Sequence, residues 1–158
     1  MEIHISISKQ TLTLWQGNIL LISYPVSTGK NGVGEQMGSE QTPRGKHYIR
    51  AKIGADAPLG MAFKGRRPTG EICMHYTKEN APERDWITSR ILWLCGREKG
   101  KNRLGKVDTF RRYIYIHGTP DWEPMGTPRS HGCIRMRNTD IVELFDLVPS
   151  FTSVTIIE

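Results

Sequence analysis

The stretch Ile3-His4-Ile5-Ser6-Ile7, followed by Thr11-Leu12-Thr13-Leu14 and, past Gln16-Gly17-Asn18, by Ile19 to Ser27, decides the fold class. Apolar and polar residues alternate with a period of two, the pattern of strands with one face in a core and the other in water. Gly17, between Gln16 and Asn18, marks a tight reversal. The N-terminal third therefore reads as successive antiparallel strands.

Beyond it, Gly29, Gly32, Gly34, Gly38, Pro43 and Gly45 crowd one segment, a density of turn formers that no regular element tolerates. Residues 29–45 are expected to form a long ordered loop. His47 to Ile53 resumes as a strand, Ala55 to Gly70 reads as loop, and Tyr76 to Arg90 as loop with a short helix at most. Ile91-Leu92-Trp93-Leu94-Cys95 and Tyr113-Ile114-Tyr115-Ile116-His117 are apolar, β-branched and aromatic runs of strand length, as central strands are. A helix is indicated where Ile141, Leu144, Phe145 and Val148 fall at i, i+3, i+4 and i+7, with Asn138 or Thr139 as N-cap and Pro149 past its end. Thr152 to Ile157 makes a last strand. The reading is one mainly β domain over residues 1–158 with one or two helices packed on it.

At 158 residues the chain can bury a core without staples. No apolar run approaches the length that crosses a bilayer, and Met1 to Ile7 has the alternation of a strand rather than the basic and apolar regions of a secretory signal. Cys73, Cys95 and Cys133 are an odd number with no close pair, which argues against a disulfide framework and for a reducing compartment. The expected location is cytoplasmic, or periplasmic if an export signal has been removed. A net charge of +6 points to an anionic partner without naming it.

Chemistry concentrates between His117 and Arg135. Ile116-His117-Gly118-Thr119-Pro120 ends a central strand, and Arg129-Ser130-His131-Gly132-Cys133-Ile134-Arg135-Met136 follows, with a helix beyond it. A free thiol has a pKa of about 8.5, and a neighbouring imidazole with positive surroundings turns it into a nucleophile. Cys133 has Arg129, Arg135 and Arg137 near it in sequence, and His117, sixteen residues earlier, can return across a loop to act as its base. No acid adjoins His117, so a backbone carbonyl, that of Gly118, is the simplest group to orient its ring. Gly132 allows a tight turn that points its own N–H and that of Cys133 at a developing oxyanion. His131 and Ser130 are placed for local bonds or substrate contact.

His117-Gly118-Thr119 with Ser130-His131-Gly132-Cys133-Ile134-Arg135 resembles the signature of the L,D-transpeptidase catalytic domain (YkuD-type). Tyr24-Pro25-Val26-Ser27-Thr28-Gly29-Lys30 and Thr42-Pro43-Arg44-Gly45 are similar to that family's upstream motifs, so the likeness covers nearly the whole chain. The resemblance implies a β-rich sandwich in which Cys133 is the nucleophile, His117 the base, Gly118 the holder of His117 and Arg135 a residue of the substrate cleft. It also implies peptidoglycan stem peptides as substrates, cut between the third, diamino acid residue and terminal D-alanine through a thioester on Cys133. With no export signal read from the sequence, the expected member is an L,D-carboxypeptidase of peptidoglycan recycling that uses water as acceptor; an L,D-transpeptidase that uses an amine is the alternative.

Other readings are weaker. Cys73 with His75 is a thin zinc hint lacking two ligands, and no metal or other cofactor is expected. Arg97 to Lys106 is basic but has no interleaved aromatics, which leaves a nucleic-acid-binding module as a distant alternative. Neither a nucleic acid nor a membrane is expected as partner. Cys95 reads as core, Trp122 as a possible wall of the cleft, and His4 and His47 as surface groups.

Overall fold

The computed structural model describes residues 1–158. It contains ten strands, β1 (Glu2–Ser6), β2 (Thr11–Gln16), β3 (Ile19–Pro25), β4 (Gly45–Ile53), β5 (Met61–Lys64), β6 (Arg67–Ile72), β7 (Ile87–Gly96), β8 (Tyr115–Thr119), β9 (Ile134–Arg137) and β10 (Ser153–Ile157), with one α-helix, α1 (Asn138–Leu147). All ten strands join one sheet. Its main path runs β3-β2-β1-β10-β4-β7-β5-β6, and β8 branches from β7 to carry β9.

The N-terminal meander is antiparallel as its alternation predicts, with Ile3 opposite Leu14 and Ile5 opposite Leu12. The C-terminal strand then pairs parallel to the N-terminal one, Ile3 beside Val154 and Ile5 beside Ile156. Parallel neighbours need no shared turn, so β1 gave no local signal of this partner. The sheet curls until Ile3, Ile5, Leu12 and Leu14 share a core with Leu92, Ile116, Ile134 and Met136. α1 packs across β7, β8 and β9 and sends Ile141, Leu144 and Phe145 into that core. Mainly β architecture with one packed helix is therefore what the sequence implied.

Four local readings are corrected. Residues 61–72 are a hairpin rather than loop, because the glycine and proline residues of that segment flank or interrupt strands that pair with each other and with Thr88. Residues 134–137 are a strand, β9, too short for periodicity to reveal. α1 has Arg137 at its N-cap with no side-chain cap bond, since Asn138, the expected cap, lies inside the helix and its buried amide accepts from Thr88 and Ser89. The C-terminal end of the helix is held instead by Lys52, whose Nζ donates to the Phe145 and Val148 carbonyls at 2.7 Å each, a cation at the negative pole of the dipole.

The fourth correction is His47, which is buried, not on the surface. Its Nδ1 must donate to the Gly45 carbonyl at 3.0 Å, so Nε2 accepts from Thr109 Oγ1 at 2.9 Å and the ring is neutral. Burial pushes its pKa down from 6.5 to about 4. Since the unfolded chain takes up a proton that the folded chain refuses, His47 costs the fold stability as pH falls from 6.5 toward 4, about 3 kcal/mol at full development. The His47→Asn variant should lose this slope: urea unfolding at pH 7, 5.5 and 4.5 should show a shallower decline for the variant than for the parent.

Candidate active site

β8 and β9 lie parallel and in register, Ile116 beside Ile134, His117 beside Arg135 and Gly118 beside Met136. Side chains alternate along a strand, so Ile116, Ile134 and Met136 enter the main core while Tyr115, His117, Cys133 and Arg135 share the opposite face. Cys133 and His117 are thus diagonal neighbours on one surface. Phe63 of β5 packs on that face, and Asp85 and Glu123 reach Arg135 from two other segments.

His117 is fully buried, and its Nδ1 lies 2.6 Å from the Gly118 carbonyl oxygen. A carbonyl only accepts, so Nδ1 carries the proton and Nε2 presents a lone pair. That Nε2 has no hydrogen-bond partner. Burial lowers the pKa of the ring, against which the charge of Asp85 and the Gly118 bond work in the opposite sense, and the imidazole is neutral near pH 7, as a general base must be. Gly118 is fixed by space: a Cβ there would fall 2.4 Å from the Thr88 carbonyl oxygen and 2.9 Å from Asn138 Oδ1.

The Cys133 sulfur packs against the cluster of Phe63, Ile91 and Tyr115. It accepts from the Tyr115 N–H at 3.3 Å and donates to the Tyr113 carbonyl at 3.3 Å. Burial pushes the thiol up to about 12, with the Tyr115 N–H, Arg135 and Arg112 pulling it back in part. Burial thus favours the neutral form of both thiol and imidazole. β9 lies between the cysteine and the start of α1.

The turn before Cys133 is built by its own side chains. Ser130 is buried, accepts from the Gly132 N–H at 3.1 Å and donates to the Cys133 carbonyl. One of the two backbone donors expected for an oxyanion is thereby engaged, while the Cys133 N–H has no hydrogen-bond acceptor. Gly132 has φ +119°, and a Cβ on it would meet the Gln41 carbonyl oxygen at 3.0 Å. Ser130 and Gly132 shape the turn, whereas His131 projects into solvent with Nδ1 3.6 Å from Asp85.

Arg135 is covered, its side chain 9% exposed, and bridges Asp85 Oδ1 at 2.8 Å and Glu123 Oε2 at 3.5 Å. These groups border an open cavity of about 700 Å3 with no hydrophobic lining residue, completed by Lys30, Arg84 and Arg129 among others. Trp122 borders a smaller neighbouring pocket and packs edge-on against Trp86 at 6.2 Å. Cys73 is buried beside Met74 and Asn138, each at 3.6 Å from its sulfur, and Cys95 is buried on β7.

Sequence reasoning missed Asp85, Arg112 and Thr42. Asp85 lies in a segment without periodicity, and nothing local ties it to Arg135. Arg112 reads as one of several basic residues, yet its guanidinium donates to Gln41 O at 2.6 Å and to Gly34 O at 3.2 Å, and it ties the glycine-rich loop to the turn that precedes β8. Thr42 stood in a motif read for resemblance and not for contact.

Comparisons with known proteins bear on the family and the fold. A family model described as the L,D-transpeptidase catalytic domain (YkuD) matches residues 1–156. L,D-transpeptidase YkuD of Bacillus subtilis is 30% identical over 98% of this chain and 65% of its own length, and that of Bacillus licheniformis 27% identical over 98% and 64%. The chain thus spans just under two thirds of these relatives. Among solved structures, an L,D-transpeptidase from Mycobacterium smegmatis superposes with TM-score 0.56 at 18% identity, covering 99% of this chain and 58% of that one. The catalytic domain of an E. faecium L,D-transpeptidase acylated by ertapenem gives 0.56 at 17%, covering 99% and 95%.

The resting protonation state has a measurable signature. Below the pKa of a thiol each pH unit changes its thiolate fraction tenfold, so alkylation of Cys133 by iodoacetamide should climb steadily from pH 6 to pH 9 without levelling. A preformed thiolate–imidazolium pair would give a plateau across that range. Gly118→Ala should abolish the site, read as loss of Cys133-dependent acylation and a Tm lowered by several degrees, because its methyl would overlap the Thr88 carbonyl.

Proposed function

This chain belongs to the L,D-transpeptidase catalytic domain family, and from that premise we propose that it performs cysteine-dependent acyl transfer on peptidoglycan stem peptides. The observation that carries the reading is the unpartnered Nε2 of His117, its tautomer set by Gly118, on the strand face that bears the Cys133 sulfur. In the first step Sγ attacks the carbonyl carbon of the third, diamino acid residue, and the Sγ proton passes to Nε2. The C–N bond to terminal D-alanine then breaks, the amine takes that proton, and a thioester remains on Cys133. An acceptor, deprotonated by the same Nε2, attacks the thioester and restores the thiol.

The mixed-charge cavity beside Arg135 suits the free carboxylates and ammonium groups of such peptides, with Arg135 offered to an anion and Asp85 and Glu123 to a cation. Water is the acceptor we assign, which makes the enzyme an L,D-carboxypeptidase acting on tetrapeptides in recycling. Three unpaired thiols suit the reducing cytoplasm, where soluble turnover peptides rather than wall strands are the substrate. With an amine as acceptor the same thioester gives a transpeptidation product.

Incubation with a stem tetrapeptide, followed by mass spectrometry, should show release of D-alanine and a tripeptide, with no exchange product when glycine or a D-amino acid is added. An exchange product that dominates would make the enzyme a transpeptidase. Cys133→Ala should reduce turnover by about 1,000-fold or more, and unchanged turnover would reject the nucleophile. The acid limb of kcat/KM should fall below pH 6.5, since burial lowers the pKa of His117 and activity is lost only as acid protonates Nε2.

A further inference from the structure

The glycine-rich loop 29–45 runs alongside the nucleophile's turn, with Gly29 bridging to Ser130 and Ser27 to Arg135. Thr42, fully buried, reaches from this loop to the turn. Its Oγ1 accepts from the Gly29 N–H at 2.8 Å and donates to the Gly132 carbonyl at 2.9 Å. The peptide joining Gly132 to Cys133 is planar and trans, so its C=O and N–H point in opposite directions. Holding the carbonyl on the loop side turns the Cys133 N–H away from the loop, and that N–H donates to no loop or side-chain acceptor in the resting fold.

We propose that Thr42 is a positioning residue whose hydroxyl aims and polarises the Cys133 N–H as the oxyanion donor, through the relay Gly29 N–H, Thr42 O–H, Gly132 C=O. The proposal rests on Cys133 being the nucleophile. Hydrogen bonds in a chain strengthen one another, and a carbonyl that accepts a bond makes the N–H of its own peptide a better donor. The approach is tight at both ends. A Cβ at Gly29 would lie 2.9 Å from Thr42 Oγ1 and 3.2 Å from the Glu40 carbonyl oxygen, so glycine is required there by closeness. Arg112 clamps the preceding residue, Gln41, by its carbonyl at 2.6 Å and keeps the loop from lifting off the turn. The dense glycines of the loop thus serve to bring one hydroxyl against one peptide group.

Two reactions of the same sulfur separate this role from simple support. Acylation by p-nitrophenyl acetate forms an S–C bond, expels p-nitrophenolate and passes through an oxyanion. Alkylation by iodoacetamide forms an S–C bond, expels iodide and develops none. Thr42→Val, which keeps the shape and removes the hydroxyl, should slow acylation about 10- to 100-fold while alkylation stays within about threefold of the parent, and Thr42→Ser should restore acylation. Equal losses in both reactions, or acylation at the parental rate, would overturn the proposal. Gly29→Ala, which pushes on the Thr42 hydroxyl without removing it, is the second probe should the valine variant fail to fold, and it should show the same selective loss. Acylation that persists in Cys133→Ala would instead count against the nucleophile itself, a failure distinct from that of the relay.

Discussion

The parallel register of β8 with β9 is the constraint on which the site depends. It sets His117 beside Arg135, and therefore one residue pair away from Cys133 on the same surface of the sheet. Because side chains alternate with a period of two, a slip by one residue would send the cysteine into the core and bring Ile134 and Met136 to the cleft. The apolar residues of both strands resist that slip: Ile116, Ile134 and Met136 are completely buried against α1 and β7. Hydrophobic burial on one face of two short strands thus holds the chemistry on the other.

Burial on the catalytic face works in the opposite sense for charge. It keeps His117 neutral by lowering its pKa and keeps Cys133 a thiol by raising its own. An ion pair at rest would have to be desolvated, which costs more than the neutral pair. Nearby, Arg135 is partnered by Asp85 and Glu123 from two different segments, so the cation is held in place before any substrate arrives.

The glycine-rich loop and the turn before Cys133 form one hydrogen-bonded unit. Ser130 closes the turn from within, Thr42 grips it from the loop, and Arg112 fastens the loop from the turn that precedes β8. Each bond is made by a side chain distant in sequence from its partner, apart from that of Ser130. Such an arrangement gives rigidity to a segment that has no regular secondary structure, which catalytic geometry needs.

Much of this was written locally. The alternation of Ile3 to Leu14, the apolar runs at Ile91 and Ile114, and the helical spacing of Ile141 to Val148 were enough for a mainly β fold, since each follows from a side-chain period. His117, Gly118, Gly132 and Cys133 were legible because their spacing and residue types are unusual for packing. Tertiary structure alone decided the parallel pairing of β1 with β10, the strand character of residues 134–137, the burial of His47, and the partnerships of Asp85 with Arg135 and of Thr42 with Gly132. The physical reason is common to all of these. A period reports which way a side chain faces, but a partner 50 or 90 residues away leaves no trace in the local pattern, and only the closing of the sheet brings the two together.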